Sequence, residues 1–301
     1  MLAILIMLPL ALHNLDYAFY IGFLTRIMIF ALAASSLNLI LGYGGMVSFG
    51  HAAFFGVGAY TVGILAGYEI FNAWITWPAA VLVSALFALL VGAVSLRTRG
   101  VYFIMITLAF AQMIYYLIVS VKGWGADDGL PIADRSLIGF GIDLKNDMVF
   151  CYVVMLLLGA VLFLKARLLA SRFGRALGAV RENELRAEAI GFPTFKIKLV
   201  AFVVAGGAAG LAGALIANQN LFVSPKLMEW HQSGILLIMV IMGGMGYLWG
   251  GVVGALVMLV LEETVSAYTI YWQMALGLLL LGIVLLAPRG LASLFSRKPL
   301  Q

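Results

Sequence analysis

Apolar runs long enough to cross a bilayer recur along this chain, and one long charged stretch interrupts them, KARLLASRFGRALGAVRENELRAEAIGFPTFKIK at 165–198. About 20 apolar residues in a helix cross a hydrocarbon core, where every backbone polar group needs an internal partner. A chain so built folds as packed membrane helices. Composition agrees: 64% of its 301 residues are hydrophobic and 10% are charged, against about 25% charged in a soluble domain. The expected fold class is all-α, a polytopic transmembrane helical bundle in one domain over 1–301, with about 8–10 membrane segments including broken or re-entrant ones.

Charge sets the orientation. Eight of the eighteen Lys and Arg fall in 165–198, which marks that stretch as cytoplasmic. The net charge of +5 is then topological, and no soluble basic domain exists to bind nucleic acid. The single cysteine, Cys151, excludes a disulfide framework and a Cys-based metal site. The N-terminus lacks a charged n-region and a small-residue cleavage site, so no removable signal peptide is expected.

In chain order, residues 1–12 are too short to span, and a full span follows at 18–41, with Arg26 in its outer part and Asn38 deeper. The run from Gly42 to Gly58 holds Gly42, Gly44, Gly45, Gly50, Gly56 and Gly58, too many for an uninterrupted helix. A broken segment is expected there, lining a pathway or, for the later glycines, packing helices closely. His51 and Ser48 are assigned to hydrogen bonds that hold the broken backbone, since nothing of metal-ligand or acid–base spacing accompanies them.

Spans at 51–68, 74–96 and 101–121 come next, with Arg97 and Arg99 in a tight cytoplasmic turn. Thr107 and Gln112 are polar within the last of these, for a pathway or for helix-to-helix hydrogen bonds. Residues 122–147, rich in Asp, form an external loop expected to be plainly solvated. A span at 148–164 returns the chain to the charged stretch, and another at 197–218 leaves it. The apolar run 233–262 is read as two short crossings broken near Gly243 to Gly251, because one crossing would strand Arg289, Arg297 and Lys298 outside. With a last span at 270–287 the C-terminus is cytoplasmic. Both breaks begin Gly-Gly-Met, at Gly44 and at Gly243, which fits an internal repeat or chance among 34 glycines. Asn38, Gly44, Gly45, Ser48, His51, Thr107, Gly243 and Gly244 are the candidate pathway residues.

The charged stretch reads as two short helices. Phe173, Leu177 and Val180 share one helical face. Asn183 is a plausible N-cap for the second helix, which Gly191 and Pro193 end. Ala187, Ala189 and Gly191 permit close approach, and Arg175, Arg181, Glu184 and Glu188 supply orienting charge. The segment serves either as a docking site for a soluble partner or as a solvated basic loop.

RFGRALGAVRENELRAEAIGF within it resembles the cytoplasmic coupling segment of ABC importer permeases, specifically the LivM-like subunits of branched-chain amino-acid importers. Glu188, Ala189 and Gly191 match that superfamily's EAA…G loop, although with only Ile190 between the last two the spacing departs from the general form. GYGGMVSFGHAAFFGVGAY (42–60), GGMGYLWGGVVGA (243–255) and LLAPRGLASL (285–294) extend the resemblance. It implies a permease in the bacterial inner membrane that imports branched-chain amino acids, with urea, short amides or ribose-like sugars as alternative substrates. The implied partners are two ABC ATPase subunits, a second homologous permease and a periplasmic substrate-binding protein. Phe173, Arg175, Leu177, Arg181, Glu184, Glu188, Ala189 and Gly191 become the ATPase-coupling residues. No GxxxxGK[ST] loop occurs, so ATP-Mg is expected on the partners and no cofactor in this chain. The motifs of an intramembrane enzyme, HExxH, paired intramembrane Asp or GxSxG beside a suitable His, are missing too.

Overall fold

The computed structural model describes residues 18–139 and 143–268, and beyond them 271, 273–274, 277–278, 280–282 and 290–294. The short element expected at 1–12, most of the span at 270–287 and the C-terminal end lie outside the described residues.

The apolar runs form helices at α1 (Ala18–Asn38), which passes into a π-turn over Leu39–Tyr43, α2 (His51–Gly67), α3 (Ala73–Ser95), α4 (Val101–Ser120) and α5 (Asp147–Ala170). The charged stretch forms α6 (Arg172–Glu182) and α7 (Glu184–Ala189). After it come α8 (Thr194–Asn220), α9 (Trp230–Gly243) and α10 (Gly250–Tyr268). Six of these segments are long and apolar enough to cross a membrane, while α2 and α9 are shorter. The expected breaks are present at 44–50 and 244–249.

Helix ends follow local chemistry. Asn72 and Asn146 cap α3 and α5 by accepting from the N–H groups of Trp74 and Met148, each at 2.9 Å. Asn183, the expected N-cap of α7, accepts from Arg186 N at 2.9 Å. Gly191 at φ +89° then ends the segment ahead of Pro193.

At the centre α8 packs between α2 and α3 and touches α1, which in turn contacts α5, α9 and α10. Small residues make this core: a Cβ on Gly58 would fall on the Gly210 backbone, and one on Gly213 on the Phe55 carbonyl. Lipid adds no hydrophobic drive between helices, so such close backbone approach carries their association. The outer helices keep large apolar side chains exposed, Leu82 of α3 at 68% and Leu156 of α5 at 69%, as a lipid-facing surface requires.

Two corrections concern the connections. The described residues of the 122–147 loop are built into the bundle rather than merely solvated: β1 (Leu130–Pro131) pairs antiparallel with β2 (Phe222–Val223), and Arg135 reaches Asp147 at 2.6 Å and the Leu144 carbonyl at 2.9 Å. Asn218 accepts from Ser136 N at 2.7 Å, closing the same end of the bundle. The second correction is that α5 runs on to Ala170 and turns Lys165 inward, 6% exposed, where Nζ donates to the Ser35 carbonyl at 3.0 Å and lies 5.5 Å from the Tyr43 ring centre. Lys165 therefore belongs to the helix bundle and the connecting segment begins at Ser171.

Candidate functional site: two joined breaks and the segment beneath them

The breaks are far apart in sequence and adjacent in space. Asn38, wholly buried at the end of α1, donates from Nδ2 to the Tyr247 carbonyl at 2.8 Å and accepts at Oδ1 from Gly246 N at 3.1 Å. One side-chain amide thus bonds a donor and an acceptor of the second break: Gly246 N has no other partner among the described residues, while the Tyr247 carbonyl also accepts from Gly250 N at 3.2 Å. Gly42 permits the approach, since a Cβ there would meet Asn38 Oδ1 and stand 2.5 Å from Gly246 N. Both Gly-Gly-Met sequences adopt the same solution, a second glycine at positive φ: +66° at Gly45 and +113° at Gly244.

Hydroxyl groups finish the first break. Ser48 Oγ accepts from Gly50 N at 3.2 Å, Thr107 Oγ1 from Phe49 N at 3.3 Å, and Ser233 Oγ of α9 from Ala52 N at 3.0 Å. These donors lie in and just before the first turn of α2, where the helix has no acceptors for them. Ser48 therefore does the backbone-holding work expected of it, and Thr107, expected to line a pathway or to bond helix to helix, also holds the broken backbone. His51 does something else: its Nε2 lies 2.7 Å from Ser36 Oγ on α1. The Ser36 hydroxyl hydrogen is committed to the Ala33 carbonyl at 2.7 Å, so His51 is the donor and ties α2 to α1 rather than to the broken backbone.

The charged segment lies directly against this junction. Leu177 and Val180 are buried at 0% and 3%. The apolar face of α6 is thus spent within the chain, and Leu177 offers no surface to a partner. Charge is also partly spent internally: Glu184 pairs with Lys198 at 2.6 Å and Arg99 at 3.4 Å, while Glu188 accepts from Thr194 Oγ1 at 2.8 Å and meets Arg99 at 3.5 Å. These contacts put the 97–99 turn and α7 at one end of the bundle, as the shared cytoplasmic assignment requires. The apolar residues the segment leaves exposed are Leu185 (67%), Ile190 (68%) and Phe192 (38%), among exposed polar and small residues that include Arg172, Arg175, Arg181, Arg186, Glu188, Ala189 and Gly191. Sequence reasoning did not single out those three apolar residues, since their spacing follows no helical face.

Arg181, expected to face a partner, is exposed and also lies against both breaks. Its Cγ is 3.1 Å from where a Cβ of Gly45 would be, and its Nη1 is 3.6 Å from that of Gly246. No sequence signal marks Gly246 and Tyr247 as partners of Asn38, because nothing local pairs residues more than 200 positions apart.

Residues 19–287 match the family model of the branched-chain amino acid transport system permease component. The chain is 32% identical over 290 residues to the high-affinity branched-chain amino acid transport system permease protein LivM of Salmonella typhimurium, covering 89% of this chain and 68% of that one. To the LivM of Escherichia coli K12 the identity is 31% over the same shares. The permease protein LivH of Salmonella typhimurium is 24% identical over 282 residues, 87% of this chain and 90% of LivH. No solved structure matches the chain. Because the family match runs unbroken from α1 through both breaks and the segment beneath them, the chain belongs to the branched-chain amino acid transport permease family.

Proposed function

We propose that this chain is the membrane-spanning permease of an ATP-driven importer that carries branched-chain, hydrophobic amino acids across the bacterial inner membrane. The family match over 19–287 carries the reading. The geometry supports a division of labour within it. The joined breaks, with Asn38, Gly44, Gly45, Ser48, His51, Thr107, Gly243 and Gly244 in or beside them, flank the solute path. The exposed part of 171–193 seats an ATPase subunit, one of the two in the assembly that bind and hydrolyse ATP-Mg. A second homologous permease completes the path, and a periplasmic binding protein delivers solute to the outer end.

Uptake into vesicles by the assembled complex with ATP tests this. Labelled leucine, isoleucine and valine are expected to accumulate and to compete with one another, while urea, acetamide and ribose do not compete. Transport of one of those solutes in place of leucine would move the chain to another substrate class. Orientation is tested separately: a cysteine at Asn183 is expected to react with an impermeant thiol reagent only after the cytoplasmic face is opened. Reaction from outside intact cells would reverse the assignment from α5 onward.

The docking surface has its own prediction. Ile190→Glu places a charge on an exposed apolar residue and should sharply reduce co-purification of the ATPase while the permease is recovered normally. Gly191→Trp is a poorer probe, because at φ +89° any side chain is strained before a partner arrives. Undiminished co-purification with Ile190→Glu would move the seat away from this segment.

A further inference from the structure

We propose that Arg181 is the positioning residue that transmits movement of the α6–α7 segment to both breaks at once. The inference rests on the importer reading above and deepens it. Three observations converge on this side chain. It stands in the last turn of α6, one helix turn past the buried Leu177 that fixes α6 to the bundle, and just before Asn183 starts α7. Its aliphatic stem covers Gly45, where positive φ and the missing Cβ leave room for it, with Arg181 Cβ 3.8 Å and Cγ 3.1 Å from the ideal Cβ position. Its guanidinium end reaches Gly246, the residue whose N–H is held by Asn38.

Arg181 also forms no ion pair among the described residues, whereas Arg99, on the neighbouring turn, is engaged by Glu184 and Glu188. Although the residue is exposed, its stem rests against Gly45 and its guanidinium end against Gly246, and a long side chain in such contact moves with whatever moves its helix. Asn38 already joins α1 to the second break. A shift of α6 through Arg181 then bears on Gly45 and Gly246 together, so one displacement acts on two segments that the sequence places some 200 residues apart. The bistable element that coupling requires is this glycine-lined junction.

Two measurements on the assembled complex test the role, each taken as solute taken up per ATP hydrolysed. Arg181→Ala removes stem and charge, and is expected to lower that ratio at least about fivefold, the lower end of ordinary coupling between sites. Arg181→Lys keeps the stem over Gly45 and should recover part of the loss. Arg167→Ala, which removes an equal charge from an exposed position on α5, outside the 171–193 segment and away from the breaks, should leave the ratio unchanged. A structural defect alone would lower recovery of the complex in step with uptake and would not move the ratio.

The second measurement is a reversible lock. The 3.8 Å separation at Gly45 and Arg181 suits a disulfide, whose Cβ atoms stand about 3.5–4.5 Å apart, so Gly45→Cys with Arg181→Cys should oxidise to one. Uptake is expected to stop on oxidation and to return with reductant only to the level of the reduced double variant, already lowered by loss of the Arg181 side chain and by the strain of a side chain at the positive φ of Gly45. Free transport by the cross-linked protein, or an unchanged ratio in Arg181→Ala, would overturn the proposal. Should the unmodified complex hydrolyse ATP without accumulating branched-chain amino acids, the transport reading fails first. Formation of the disulfide would still report the contact itself.

Discussion

Replacing Gly213 by valine is expected to abolish recovery of folded permease. The added Cβ would fall on the Phe55 carbonyl and lie 2.9 Å from Ala59 N, so backbone meets side chain with no flexible group to yield. Overpacking a core ordinarily costs about 1–3 kcal/mol, and a clash with backbone in the middle of the α2–α8 contact exceeds that range, at roughly 4 kcal/mol or more. The contact lies at the bundle's centre, so α8 cannot retreat without parting from α3 as well. Size-exclusion chromatography of detergent extracts checks the outcome, with Gly159→Val as the control. Gly159 has nothing within 4 Å of its ideal Cβ, so that variant should elute with the unmodified protein. A monodisperse, normally abundant Gly213→Val protein would show that the helices pack otherwise.

Asn38→Leu has the next largest effect, for a different reason. The side chain is close in size, but its loss strands the Gly246 N–H in a buried, non-helical stretch, while the Tyr247 carbonyl keeps only its bond from Gly250 N at 3.2 Å. A stranded donor costs about 1–3 kcal/mol, so the second break loses stabilisation of that order. Interhelical side-chain bonds in membranes usually give less, about 0.6 kcal/mol, because the separated helices find other partners. Here the stranded donor is a backbone N–H of a break, which has no other partner among the described residues. Uptake should fall at least about tenfold, the change that 1.4 kcal/mol produces. Asn38→Asp is the informative companion: it keeps an acceptor for Gly246 N, loses the donor to Tyr247 and buries a carboxyl. It should do no better than leucine. Asn38→Gln, which keeps both functions on a longer stem, should retain more activity than either, and equal uptake by all three would remove the amide clamp from the explanation.

Much of this architecture was legible in the sequence, for reasons that can be traced. The α6–α7 boundary followed from Asn183, and its end from Gly191 and Pro193, because capping is a local property of a few residues. The breaks followed from glycine density. The Phe173–Leu177–Val180 face correctly marked a surface to be buried, yet periodicity states only that a face is apolar and never what covers it. It is covered by the chain itself, so the surface left to a partner is the irregular trio Leu185, Ile190 and Phe192. Lys165 was read with the basic residues of the connecting segment, because a cation near a helix end ordinarily belongs to the interface. The acceptor that draws it inward, the Ser35 carbonyl, lies 130 positions away and leaves no trace in the local pattern. His51 was placed near the break correctly and given the wrong partner for the same reason.

That buried lysine has a consequence for how the protein is made. A Lys at the middle of an isolated helix costs about 2.5–3.5 kcal/mol to insert. Lys165, however, is five residues from the end of its helix at Ala170, about 7.5 Å along the axis, within reach of the headgroups for a stem that can stretch toward them. The helix can therefore enter the bilayer as an ordinary apolar segment with its ammonium group still wet. Water is surrendered only when α5 settles against α1 and the Ser35 carbonyl takes its place. The burden of that charge thus falls on assembly of the helices after insertion, and the biosynthetic machinery meets only a helix it can pass to lipid unaided.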